Sequence, residues 1–318
     1  LETAEAFGIT FTYFAVLDYT NTVPDRASPA DDLPGFFNAE QAARAMTSGE
    51  VGLHGYNHRS LTTGQWESAE AMTASLSSAR RIWERWQGDL PVSYVPPSNE
   101  FDEAGIAALA ATFPELAAVC STYLQGDFHL GGMREFGSEP WAPSLYGVPR
   151  ATSGYELSPV THFEMACQLA TFGVWTHFVH PDDVFDTPES ASEAAEWRNP
   201  HSRFWRAERD GRPGMLSRFR DWLGLVGEIA PWLRYMDTRS AVPLLKAYFE
   251  DRFDVRMDTR WVRVDARPGA HFHVRVNDLS RLNPVGLRNA TLLNAAEYEG
   301  HALYTFEATG AEVEIEFV

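Results

Sequence analysis

An α/β fold with a mostly parallel sheet, doubly wound or closed into a barrel, is predicted, followed by a small antiparallel β domain. Three observations predict it. Over residues 1–125, short apolar runs rich in β-branched and aromatic residues alternate with amphipathic helical stretches, the pattern of strands covered on both faces. Beyond residue 252 the helical period gives way to alternation of period two, broken by turns. At 318 residues, 44% hydrophobic and 13% aromatic, the chain can bury a large core, which excludes disordered and collagen-like classes.

The elements follow in order. Leu1–Gly8 reads as the end of an amphipathic helix, and Ile9–Leu17 (ITFTYFAVL) as a buried strand. After a proline-rich polar loop, Asn38 caps a helix over Asn38–Ser48 that Gly49 stops. Val51-Gly52-Leu53 is a short strand. Thr62 with Gln65 three residues on reads as a capping box for a helix over about 65–87. Strand 92–95, helix 102–111 and strand 117–123 follow. Residues 124–150, rich in Gly and Pro, read as mostly loop. A helix over 159–171 and a buried strand at 173–179 come next, then a helical pattern from Glu189 to Asp251. Strands are expected at 255–265, 271–276, 290–296, 302–307 and 311–318. The expected domains are therefore 1–251 and 252–318.

Acidic residues outnumber basic ones 44 to 26, a net charge of −18. Such a field repels a nucleic-acid backbone and excludes that partner class. No run of about 18 apolar residues could span a bilayer, and the first ten residues lack the basic-then-apolar order of a signal peptide. Cys120 and Cys167 form no metal or redox motif; two buried thiols are expected, with a disulfide as the alternative.

Three segments carry chemistry. In VGLHGYNHRSLT, His54 and His58 stand four apart after a strand, so one helical turn would put both imidazoles on one face to bind one divalent ion. Surface His pairs of this spacing also arise by chance. In GVWTHFVHPDD, His177 reads as a core histidine, whereas His180 is either that or a general acid beside a carboxylate. In YVPPSNEFDEAG, a rigid turn projects Asn99 and Glu100 near the same end; Glu100 is a base, a ligand or a solvated first-turn residue. Asp18, closing its strand, is equally open.

Taken together, these segments resemble the polysaccharide deacetylases of the NodB-homology type (carbohydrate esterase family 4 and its relatives). LETAEAFGITFTYFAVL is similar to that family's opening helix and strand. EVGLHGYNHRSLT resembles its His-x-x-x-His metal motif, SYVPPSNEFDEAGIAAL its Pro-Pro groove motif, and GVWTHFVHPDD its late general-acid motif. The resemblance spans residues 1–250 and implies a distorted (β/α) barrel. The family's Thr-Phe-Asp-Asp motif, carrying the catalytic base and third metal ligand, has no match, and is expected upstream of Leu1. Val95 stands where the family usually has an Arg. The Pro-Pro-Ser-Asn-Glu version and the terminal β domain look more like the divergent deacetylases of exported aminosugar polymers, such as the Pel exopolysaccharide deacetylase of biofilm bacteria.

The resemblance implies metal-dependent N-deacetylation of an acetylated hexosamine polymer in the periplasm or outside the cell, with export machinery as a further partner. His54 and His58 would hold the metal, zinc first among divalent ions. His180 would act as general acid with Asp182 orienting it, and Glu100 would take part of the positioning of the base. Tyr56, Asn99, Tyr155 and Asp182 would bind substrate, with Trp141 a further stacking candidate. The alternatives are a non-catalytic carbohydrate-binding barrel and another metal-dependent hydrolase on a similar fold.

Overall fold

The computed structural model describes residues 2–17, 49–122, 126–156, 158–180, 184–185, 203–205, 211, 213–250, 253–277, 283–298 and 300–318. It divides into two compact units, residues 1–242 and 243–318. Among the described residues no helix is long and apolar enough to cross a membrane.

Unit one carries β1 (Phe11–Ala15), β2 (Gly49–Leu53), β3 (Ser93–Tyr94), β4 (Ala118–Val119), β5 (Gly137–Glu139) and β6 (Ala142–Gly147). They form one sheet in the order β1-β2-β3-β4-β6-β5, parallel throughout except for the β5–β6 hairpin at its edge. Two separate parallel pairs follow: β7 (Thr152–Ser153) with β8 (His177–Phe178), and β9 (Val184–Phe185) with β10 (Arg203–Phe204). Among the described residues the strands form one open sheet and two further parallel pairs, linked onward by the Thr122–Arg150 bridge; a closed barrel is not shown. Strands β3, β4, β7 and β8 are only two residues long, too short for a continuous ladder. Single backbone bonds carry the arc onward, from Cys120 N–H to Tyr94 O (2.8 Å) and Arg150 N–H to Ser121 O (2.7 Å).

Helices α1 (Glu2–Phe7), α2 (Ala69–Trp86), α3 (Glu103–Thr112), α4 (Pro159–Phe172) and α5 (Met215–Ile229) belong to the same unit. Helix α2 buries Met72, Leu76, Ala79 and Trp83, a single stripe at helical spacing, against Leu53, Tyr94 and Val119 of the sheet and Ile106 and Leu109 of α3. Each such side chain contributes about 1.5–3 kcal/mol on leaving water. Its cap is Ser68, whose hydroxyl accepts from Ala71 N–H at 3.2 Å; the Thr62–Gln65 pattern instead makes a short 3₁₀ turn. Asp102 caps α3, accepting from Gly105 N–H at 2.8 Å. The expected helix at 38–48 lies outside the described residues. The β5–β6 hairpin replaces part of the expected loop. Its strand ALA-PRO-SER-LEU-TYR-GLY carries a proline at Pro143 and no clean alternation, so period alone did not reveal it.

Helix α6 (Thr238–Glu250) crosses the division between units at Pro243. Unit two holds two antiparallel sheets. One contains β11 (Asp254–Met257), β12 (Trp261–Asp265), β17 (Glu312–Phe317) and β14 (Pro284–Arg288) in that order. The other is β13 (His271–Val276), β16 (His301–Ala308) and β15 (Ala290–Tyr298). Along β16 every second residue is buried, and Phe272, Tyr304, Phe306, Ile315 and Phe317 make the core. The single strand expected over 255–265 is a hairpin turned at Asp258, whose Oδ1 accepts from Arg260 and Trp261 N–H groups.

A buried ion pair and a buried carboxyl group brace unit one. Arg134 and Glu139, 3% and 0% exposed at the side chain, form a two-pronged pair at 2.8 and 3.1 Å. The guanidinium lies 4.2 and 4.5 Å from the Phe128 and Trp141 rings and donates to the carbonyls of Phe128 and Gly132. The other is Glu50 of β2, which accepts from Ser93 Oγ–H and Arg239 N–H, each at 2.6 Å, and stands 3.3 Å from Thr12 Oγ1. It thereby joins β1, β2 and β3 to the turn that opens α6. Burial pushes the Glu50 carboxyl above its ordinary range.

Glu139→Ala leaves a buried guanidinium without its anion and is expected to destabilise unit one by about 3–5 kcal/mol in urea denaturation; a loss within 1 kcal/mol would contradict the pairing. For Glu50, the raised folded value means the folded state binds its proton more tightly than the unfolded chain. Stability therefore falls as pH rises from the ordinary carboxylate range through that raised value. Glu50→Gln keeps an acceptor for Arg239 N–H and is expected to flatten this part of the stability–pH curve, measured by denaturation across pH 4–8.

Candidate functional site

Strand β2 positions the first candidate ligand. Its side chains alternate, so Glu50, Gly52 and, one step past the strand, His54 share a face. Gly52 is required there: a Cβ would lie 2.5 Å from Ser93 Oγ and 2.6 Å from the Phe14 ring. His54 N–H donates to Ala15 O at 2.8 Å, extending the β1–β2 ladder by one bond. Its ring Nδ1 lies 2.8 Å from Val95 O. A carbonyl only accepts, so Nδ1 carries the proton and Nε2 offers its lone pair. Burial, with lesser contributions from His58, Arg150 and His180, pushes the His54 pKa down to about 4. The ring is therefore neutral at pH 7, the form that binds a metal.

The His58 ring centroid lies 4.8 Å from that of His54, nearly edge-on at 83°. The expected helical turn does not bring them together. Residues 54–60 are irregular, with Gly55 at φ 81° and His58 itself at φ 57°. The loop doubles back tightly enough that a Cβ on Gly55 would touch Pro97 Cγ at 3.1 Å. Among the described residues no group of three or more His, Cys, Asp or Glu is arranged to hold a metal. His54 thus offers one nitrogen lone pair beside the His58 ring; Asp18 lies outside the described residues.

The Pro-Pro segment forms the opposite wall. Ser98 and Asn99 both adopt left-handed backbone, φ 56° and 60°, which costs a non-glycine residue about 1–2 kcal/mol. What holds Asn99 is Arg150, whose guanidinium donates to Asn99 Oδ1. Arg150 Nε–H also donates to Cys120 O at 3.0 Å, and its Cζ lies 4.4 Å from the Phe178 ring. Burial lowers its pKa to about 10, and among the described residues no carboxylate pairs with it. Sequence reasoning missed Arg150. Its one signal is a lone Arg just beyond an apolar strand, and nothing local says where that guanidinium goes.

His180 is exposed at the end of the segment after β8, its ring 5.2 Å from that of Phe178. Tyr155 O–H donates to the His180 carbonyl at 3.0 Å. The structure thus gathers His54, His58, Arg150 and His180 within electrostatic reach of one another. His177 is the expected core histidine: its ring bonds Thr152 Oγ1 and Gly154 O, packs 4.5 Å from Trp222, and burial pushes its pKa to about 4.

Three expected sugar-stacking aromatics sit elsewhere. Tyr56, 2% exposed, belongs to the core beneath α2 and α3. Tyr155, 7% exposed, packs on Trp205 and Phe219, so it acts on His180 through its hydroxyl. Trp141 is half-buried against Arg134 and Phe101. Asp182 lies outside the described residues. Cys120 is a buried free thiol, pushed up to about 12 by burial; Cys167 is free and exposed. Glu100 joins His58, Ser98 and Gln65 in lining a cavity of about 280 Å³.

A family of bacterial proteins, described as "Uncharacterised protein conserved in bacteria (DUF2194)", matches residues 1–276. No curated protein matches the chain. Among solved structures it is similar to a "putative polysaccharide deacetylase" from Mycobacterium smegmatis, 16% identical over 77% of this chain and 75% of that one, with a TM-score of 0.46. It is also similar to AmyP in complex with maltose, 9% identical over 99% of this chain and 88% of that one, with a TM-score of 0.38.

Asn99→Ala removes the acceptor of Arg150 and leaves a poorly suited residue in left-handed backbone, whereas Asn99→Gly removes the acceptor alone. The alanine variant is expected to be about 1 kcal/mol less stable than the glycine variant. Equal midpoints in chemical denaturation would show that the strain at 99 carries no cost.

Proposed function

The chain belongs to the DUF2194 family, and we propose that it is a metal-dependent hydrolase that removes N-acetyl groups from a hexosamine polymer outside the cytoplasm. The observation that carries this reading is the His54–His58 pair, 4.8 Å apart between centroids, with the Nδ1 proton of His54 committed to Val95 O. That commitment fixes the tautomer and aims Nε2 away from the backbone, the arrangement expected of a metal-ligating histidine. The order of the four motif-like segments along the chain supports the same class.

On this reading His54 and His58 hold a divalent ion, zinc first, with a carboxylate from outside the described residues completing the ligand set. The ion would polarise the acetyl carbonyl and lower the pKa of a water. The chain's own residues do the rest. His180, exposed and held at its carbonyl by Tyr155, would give a proton to the departing amine. Arg150 braces the turn that carries Asn99 and would supply positive charge as negative charge develops on the acetyl carbonyl oxygen. The net charge of −18 favours a polymer that becomes cationic as its acetyl groups leave.

Acetate release from N-acetylated hexosamine oligomers is expected to be abolished by chelator and restored by zinc. His54→Ala and His58→Ala are each expected to weaken zinc binding in calorimetry by at least tenfold, because each removes one donor nitrogen. Oligomer binding without release under any divalent metal would replace this reading with a carbohydrate-binding module.

A further inference from the structure

The cavity beside His58 has its own chemistry. It is an open depression of about 280 Å³ lined by the 57–60 loop, Gln65, Ser98 and Glu100. Gln65 and Ser98 offer neutral amide and hydroxyl groups, the complement of sugar hydroxyls, while the Ser60 hydroxyl is bonded to Thr62 Oγ1. Two of the lining residues carry a full charge. Arg59 is already engaged: its Nη2 lies 3.3 Å from Glu67 Oε1, and its Cζ 4.3 Å from the Trp66 ring.

Glu100 is different. Its N–H donates to Pro97 O at 3.1 Å, which holds the residue at the mouth of the strained Ser98–Asn99 turn. Its side chain is half-buried, and among the described residues no donor pairs with the carboxylate. A partly desolvated carboxylate facing neutral donors is a strong acceptor for a cation, and an ammonium satisfies it with charge-assisted hydrogen bonds. The cavity also shares His58 with the proposed metal pair, so one unit of a polymer chain in it would neighbour the unit whose acetyl group reacts.

We propose that this depression is a subsite for a hexosamine unit that has already lost its acetyl group, with the free ammonium on Glu100 and the hydroxyls on Gln65 and Ser98. The inference rests on the deacetylase reading. It gives that activity a direction: the site acts preferentially next to a unit it has already processed, so free amines accumulate in blocks.

The test compares a fully N-acetylated hexosamine tetramer with tetramers carrying one free amine, in both gluco and galacto series, by acetate release and by calorimetric binding. The wild-type protein is expected to favour a singly deacetylated tetramer by roughly tenfold or more in kcat/KM and in Kd, the scale of one charge-assisted hydrogen bond. In Glu100→Gln the ratio is expected to fall to about one, and Glu100→Ala provides the same comparison with the carboxyl removed. Thermal melts confirm that both variants are folded. Indifference of the wild type, or a preference that survives in both variants, overturns the proposal. If no tetramer releases acetate, the deacetylase reading fails. The binding ratio then still decides whether Glu100 reads the amine.

Discussion

Pairing of β1 with β2 in parallel register, Phe11 on Gly49 through Ala15 on Leu53, sets the position of everything at the candidate site. The ladder runs one bond further, from His54 N–H to Ala15 O, and that bond fixes the first residue beyond the strand. From there the ring can reach Val95 O on the neighbouring segment, and the loop can fold His58 back against it. A slip of one residue would turn Glu50, Gly52 and His54 to the opposite face. It would drive a carboxylate into the apolar core against α2 and expose Leu53. The register that buries Leu53 is therefore the register that presents His54.

Along the same face runs an unusually polar interior. Glu50 ties three strands to the turn at Thr238–Arg239, and Arg150 ties Cys120, Asn99 and Phe178 together nearer His54. Both are buried charged groups, and each is satisfied by fixed dipoles or an aromatic face in place of a paired ion among the described residues. Such groups contribute little net stability, but they penalise any arrangement that leaves them unmet. Short strands of two residues would otherwise allow considerable freedom. The polar braces supply the definition that long ladders supply elsewhere.

Much of the architecture was legible in the sequence wherever the signal was local. The helix expected over about 65–87, the helix at 102–111 and the strand at 302–307 rest on neighbours a few positions apart, and the structure has α2 at Ala69–Trp86, α3 at Glu103–Thr112 and β16 at His301–Ala308. The expected capping box at Thr62 failed because Ser68, six residues on, offers a better-placed hydroxyl once the 3₁₀ turn forms. Closure into a barrel is not shown among the described residues, and the sequence could not decide it. Apolar runs such as GVWTHFV mark burial, but they do not say how many residues pair, and only His177–Phe178 do. Tyr56 illustrates the same gap: an aromatic between two site histidines has no local feature that separates a groove from a core.

By itself the sequence determined the alternation of strands and helices, the change of character at the terminal β unit, and the histidine pair with its flanking motifs. These follow from side-chain period, capping chemistry and turn residues, all of which act over a few positions. Tertiary structure alone decided that a left-handed loop, not a helical turn, joins His54 to His58. It alone brought Arg150 to Asn99 across 51 positions and Glu50 to Arg239 across 189. Those contacts are chosen by the common packing of distant segments, where a buried polar group must find its partner wherever the fold has placed one.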